Sequence, residues 1–144
     1  MILCDTGPLV AAFNKADKDH SRCVRFLTRH WTRLVVPSLA VTEICHLLTD
    51  PVRRGSPALA AEFCAAIADD ELRVIEVTPH DYRRMSELLL AYASLRLQAV
   101  DACGIALAER FDLREVATLD QRDYRIVAPR HLPKGQRLTV LPES

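Results

Sequence analysis

The sequence predicts an α/β fold with a central, mostly parallel sheet flanked by helices. Short continuous apolar runs alternate with longer segments of helical spacing through most of the 144 residues. The runs lack polar alternation, as expected of strands buried on both faces. Apolar residues make up 49% of the chain against 4 Gly and 8 Pro, which excludes disorder, collagen and low complexity. No internal repeat or linker interrupts the pattern, so residues 1–144 are expected to form a single domain.

Each element follows from its local pattern. Met1 to Cys4 reads as a buried strand running into the turn Asp5-Thr-Gly-Pro8, with a short helix over Leu9 to Phe13. From His20 to Trp31 the residues Cys23, Val24, Phe26, Leu27 and Trp31 keep helical spacing. Leu34 to Pro37 is a second strand, after which Ser38 is expected to cap a helix to about Leu48. Pro51, Gly55 and Pro57 make Asp50 to Pro57 a loop. A helix over Ala58 to Ala68 and a third strand over Leu72 to Val77 come next. Thr78-Pro79 opens a helix to about Tyr92, since proline is favoured in a first turn. A further helix runs from near Asp101 to Phe111, followed by a strand over Val116 to Leu119 and weaker strands over Tyr124 to Val127 and Leu138 to Leu141.

Charge and cysteine usage narrow the function classes. Lys plus Arg number 19 and Asp plus Glu number 19, which excludes a polybasic tail or an acidic solvating chain as the theme. No apolar run approaches the roughly 20 residues that span a bilayer. Asp5 and the lack of a basic leader argue against a signal peptide, so a cytoplasmic location is expected. Cys4, Cys23, Cys45, Cys64 and Cys103 form an odd set without CxxC or Cys/His ligand spacing, and are expected to be buried, reduced thiols.

The informative residues are acidic. In an open α/β sheet, ligands bind beyond the carboxyl ends of the strands. Asp5 follows the first strand and Asp120 the fourth, although Asp is also a common turn residue. Glu43 lies in a helix apolar almost all round, where a carboxylate must be paired or cation-bound; His46 is its available partner. Asp101 stands among small apolar residues and alternatively serves as a helix N-cap. Asp123, between Arg122 and Arg125, reads as an exposed ion pair. Convergence of Asp5, Glu43, Asp101 and Asp120 would demand a cation, and oxygen-only ligands suit Mg²⁺ or Mn²⁺. Such a site suits phosphodiester hydrolysis. No Walker loop or GxGxxG supports a nucleotide cofactor.

These segments resemble the PIN-domain ribonucleases of VapC toxin type. Ile2-Leu-Cys-Asp5-Thr-Gly-Pro-Leu-Val-Ala is similar to the family's first strand and acidic residue. Val35-Val-Pro-Ser-Leu-Ala-Val-Thr-Glu43-Ile is similar to its second strand and glutamate-bearing helix. Val100-Asp101 through Arg110 and Ala117-Thr-Leu-Asp120 through Tyr124 are similar to the segments bearing its third and fourth acids. The resemblance implies a single PIN-like domain over 1–144 and a Mg²⁺- or Mn²⁺-dependent endoribonuclease. It also implies a toxin that is homodimeric and held inactive by a small antitoxin. Asp5, Glu43, Asp101 and Asp120 would be its catalytic metal ligands. Two departures stand out: Asp123-Tyr124 where relatives often show His or Asp before Phe, and Cys103-Gly104 inside the third segment's helix.

Two further readings belong to the surface and to alternatives. Arg22, Arg25, Arg29 and Arg33 recur at helical spacing, as a solvated face or a phosphate-contacting stripe. Arg122, Arg125, Arg130, Lys134 and Arg137 cluster after the fourth acid. Asp5-Thr-Gly also resembles an aspartic-protease triplet, but it leads into a helical run rather than an all-β context. A non-catalytic metal- or RNA-binding module of the same fold is the other alternative.

Overall fold

The computed structural model of the chain describes residues 1–142. Five strands, β1 (Ile2–Cys4), β2 (Leu34–Pro37), β3 (Arg73–Ile75), β4 (Glu115–Ala117) and β5 (Thr139–Leu141), pair in the order β3-β2-β1-β4-β5. Every pairing is parallel, and Ile2 lies opposite Leu34 on one side and Glu115 on the other. The chain therefore builds outward from β1 to β3, then crosses back to place β4 on the other side of β1. That reversal makes the carboxyl edge between β1 and β4 the natural crevice of the sheet.

Among the described residues, seven α-helices cover the two faces: α1 (Thr6–Phe13), α2 (His20–His30), α3 (Ser38–Thr49), α4 (Pro57–Ala68), α5 (Pro79–Ala91), α6 (Ala99–Arg110) and α7 (Arg122–Ile126). Strand alternation divides the core. Ile2, Cys4, Leu34 and Val36 pack with Leu9, Leu27, Ile44, Leu48 and Phe63 from α1 to α4. Leu3, Val35 and Val116 pack instead with Met85 and Leu88 of α5 and Ala102 to Leu107 of α6. Two ion pairs fasten α5 to α6, Arg84 to Glu109 at 2.7 Å and Arg110 to Asp81 at 3.0 Å. Thr78 and Asp81 form a reciprocal capping box at the start of α5.

The α3–α4 connection is tight. Gly55 donates its N–H to Asp50 O at 2.8 Å, and Ser56 donates to Leu48 O at 2.9 Å, satisfying a carbonyl at the end of α3. A Cβ on Gly55 would stand 2.2 Å from that Leu48 oxygen, so the turn requires glycine.

Several sequence expectations are corrected here. Helix α1 begins at Thr6, because Pro8 sits in the first turn where its missing N–H is no loss. Ser38 is the first helical residue of α3, with Pro37 at the cap position. Residues 124–127 do not form a strand: Tyr124 and Val127 are buried while Arg125 and Ile126 are exposed, the three-residue spacing of a helix. The cysteines are not uniformly buried, since Cys64 is exposed and Cys45 half-buried.

Candidate active site

The crevice between β1 and β4 holds a cleft of about 570 Å³ whose lining includes Asp5, Glu43, Asp101, Asp120 and Asp123. Asp5 leaves β1 at the start of α1, and its N–H donates to Ala117 O at 2.9 Å, locking it to the end of β4. The buried Thr118 hydroxyl donates to Asp5 Oδ2 at 2.9 Å, with the Asp120 carbonyl oxygen at 3.1 Å as a competing acceptor. One threonine thus ties the acids after β1 and β4 together.

Glu43 reaches the cleft from the middle of α3 and is half-buried. His46 is exposed, and no ion pair joins it to Glu43 among the described residues. Asp101 is not the N-cap of α6. Gln98 occupies that position, and Asp101, three residues on, accepts the Gln98 N–H at 3.3 Å. Holding Asp101 in the cleft requires α6 to approach the sheet closely. Its buried run Ala102-Cys-Gly-Ile-Ala-Leu-Ala108 permits this. Gly104 has a specific reason: a Cβ there would lie 3.1 Å from both Leu3 Cδ2 and the Tyr124 hydroxyl.

Asp123 departs from the sequence expectation. It is 7% exposed, lines the cleft, and leaves Oδ1 without a hydrogen-bond partner among the described residues. Arg122 Nε is 3.7 Å away, beyond hydrogen-bonding distance. The expected ion pair with Arg122 is present at this longer separation, but the carboxylate is buried rather than exposed. Thr6 adds a second buried oxygen, Oγ1, without a partner in the same cleft. Thr118, Thr6 and Asp123 are the residues that sequence reasoning did not select. The Tyr124–Val127 spacing was the signal that could have exposed Asp123.

The electrostatics reflect crowding of like charges. Burial pushes Asp101 up from 3.8 to about 7, with Asp5 the next contributor and Asp123 and Asp120 behind it, against the Gln98 N–H. Burial also raises Asp5; hydrogen bonds from Thr6 N–H and Thr118 oppose it, while Glu43 and Asp120 reinforce it. Burial, then Asp5, Asp101 and Asp123, keep the enclosed Tyr124 phenol well above its ordinary range.

Positive charge stands on the same lining. Lys18, Arg53, Arg96 and Arg122 come from four separate segments and are all exposed. None of Arg22, Arg25, Arg29 or Arg33 lines the cleft. Arg22, Arg25 and Arg29 lie on the outer face of α2, Arg22 pairing with Asp19, while Arg33 falls in the following turn and pairs with Glu115. The stripe faces solvent, apart from the cleft.

The donor set fits a hard divalent cation. Its acids offer carboxylate oxygens, and the Thr6 hydroxyl adds another hard oxygen. Among the described residues, no three His, Cys, Asp or Glu side chains stand close enough together to hold a metal ion between them. An open carboxylate cleft suits Mg²⁺, which retains several waters and takes few protein ligands.

An all-parallel sheet with an acidic crevice at its reversal point defines an open α/β protein whose cleft lies beyond the carboxyl ends of its strands. The chain belongs to the PIN domain family, whose pattern matches residues 2–128. It is 26% identical over 141 residues to Ribonuclease VapC26 of Mycobacterium tuberculosis, spanning 98% of this chain and 100% of that one. Among solved structures it is similar to VapC20 of M. tuberculosis, described as a sarcin–ricin-loop-cleaving toxin. The TM-score is 0.76 at 21% identity, covering 84% of this chain and 91% of that one. A toxin–antitoxin complex from Klebsiella pneumoniae matches with a TM-score of 0.62 at 16% identity, over 90% and 98% of the two chains. The family resemblance read from the four acidic segments is borne out.

Proposed function

We propose that the protein is a metal-dependent endoribonuclease and the toxin of a toxin–antitoxin pair. The observation that carries the reading is the gathering of Asp5, Glu43, Asp101, Asp120 and Asp123 on one cleft at the sheet's reversal point. The full-length likeness to Ribonuclease VapC26 supports the reaction class. Asp5, Glu43, Asp101 and Asp120 would hold Mg²⁺ or Mn²⁺, with Asp123 and the Thr6 hydroxyl placed to bond its water shell. The bound ion would supply an activated water and charge neutralisation at the scissile phosphate. Asp5 is kept in place by Thr118, and Asp101 by the Gln98 N–H. Lys18, Arg53, Arg96 and Arg122 bring cations to an acidic cleft that would otherwise repel a polyanion. The reading includes a small antitoxin partner, a homodimer and a cytoplasmic setting. No described helix is long and apolar enough to cross a membrane.

The test is RNA cleavage by the purified protein with Mg²⁺ or Mn²⁺, with EDTA, and by Asp5→Asn. Both the chelator and the variant should reduce cleavage by on the order of 100-fold or more, the scale of losing a main electrostatic or proton-transfer group. Cleavage persisting in EDTA, or in folded Asp5→Asn, would overturn the reading. Light scattering of the purified protein checks the dimer, and co-purification with the product of an adjacent small gene checks the antitoxin.

A further inference from the structure

Cys45 and Cys64 belong to different helices, α3 and α4, yet their sulfurs are 3.7 Å apart. Both are free thiols; Cys64 is exposed and Cys45 half-buried beneath it. Cys4, Cys23 and Cys103 are fully buried elsewhere. The pairing is supported by rigid surroundings. Helix α4 is anchored inward by Phe63, which packs edge-on to Phe13 at 5.4 Å between ring centres, and the Gly55 turn fastens it to the end of α3.

We propose that Cys45 and Cys64 form a reversible oxidative modification site, in which peroxide converts the facing thiols to an intramolecular disulfide bracing α3 against α4. The exposed Cys64 thiol attacks hydrogen peroxide, breaking the O–O bond, to give a sulfenic acid and one water. The Cys45 sulfur then displaces the sulfenic oxygen, forming the S–S bond and releasing a second water. The two thiols lose two electrons and two protons in total, and peroxide takes up both to leave as two waters. The product closes a ring around the turn that carries Arg53, a residue of the cleft lining, while Glu43 sits on the same helix as Cys45. The cross-link therefore restrains one wall of the cleft without touching its carboxylates. It also restricts the unfolded chain, so the oxidised protein melts at a higher temperature.

The experiment treats the full chain with stoichiometric hydrogen peroxide. Thiols under denaturing conditions, intact mass, digest fragments and melting are then followed, before and after dithiothreitol. Titratable thiols should fall from five to three. The mass should drop by about two units for the lost thiol hydrogens. A Cys45–Cys64 linked fragment should appear, and the melting temperature should rise by a few degrees, all reversed by dithiothreitol. Cys64→Ser, a substitution at an exposed position, should fold normally and show neither the mass loss nor the melting shift. Four outcomes would overturn the proposal: a covalent dimer through Cys64, a sulfinic acid at Cys64 with Cys45 free, retention of all five thiols, or a melting temperature unchanged by the mapped cross-link.

Discussion

Asp101 is the residue whose protonation should be felt most widely. Its carboxyl is raised from 3.8 to about 7, so between those values the folded metal-free protein holds a proton that the unfolded chain has released. Stability contributed by this group therefore falls as pH rises through that window. Asp81 has the opposite sign: burial works against it, but bonds from Thr78 and Arg110 hold it below its ordinary range. Its stabilisation is present above 3.8 and lost on further acidification. We expect metal-free Asp101→Asn to match or exceed wild type at pH 8, with the advantage shrinking below pH 7 and vanishing toward 3.8. In a chain this size about 1 kcal/mol shifts melting by roughly 2–4 °C. Melting curves of both proteins across pH read this directly, and parallel profiles would contradict it. Gly104 gives a second test. Alanine gains up to about 1 kcal/mol in helix propensity but pushes on Leu3 and Tyr124, both essentially buried, where overpacking costs about 1–3 kcal/mol. Urea unfolding of Gly104→Ala should show a net loss of about 1 kcal/mol.

The basic residues are arranged at the level of elements. Arg25 and Arg29 share the outer face of α2, whereas Arg53 and Arg96 stand in turns that end beside the acids. Exposed arginines add little to stability, so substituting them should separate binding from folding. Arg53→Gln together with Arg96→Gln should weaken RNA binding and reduce the slope of log affinity against log salt by about two. Arg25→Gln with Arg29→Gln should leave the slope unchanged. Binding by polarisation of a labelled oligoribonucleotide in Ca²⁺, over a salt series, distinguishes the two pairs; equal effects would remove the special role of the cleft arginines.

Across the whole molecule, Asp5, Glu43, Asp101, Asp120 and Asp123 reach the cleft from the β1–α1 junction, α3, α6, the segment after β4, and α7. A cation that binds only this assembled arrangement stabilises the native state by mass action. Millimolar Mg²⁺ or Mn²⁺ should raise the melting temperature of wild type by several degrees at pH 8, and Asp101→Asn should lose most of that rise. An equal response from both proteins would show that the ion binds elsewhere.

The α/β class, the order of strands and helices apart from α7, and the positions of Asp5, Glu43, Asp101 and Asp120 were legible in the chain. Apolar periodicity and turn residues are local signals, and an acid after a strand or within an apolar helix violates the local pattern visibly. What tertiary structure decided was which groups meet. Asp123 looked exposed because arginines flank it in sequence, yet the helical turn of α7 buries it in the cleft lining with only a long ion pair to Arg122. Thr118 gained its role only when β4 paired beside β1, and Gly104 only when Tyr124 packed beneath α6. The arginine stripe has the spacing of one helix face, and the direction in which α2 packs sets it away from the cleft. Cys45 and Cys64, 19 residues apart, became neighbours through the Gly55 turn. Periodicity determines which face of an element is buried; which faces confront one another depends on long-range packing, where contacts distant in sequence set the geometry.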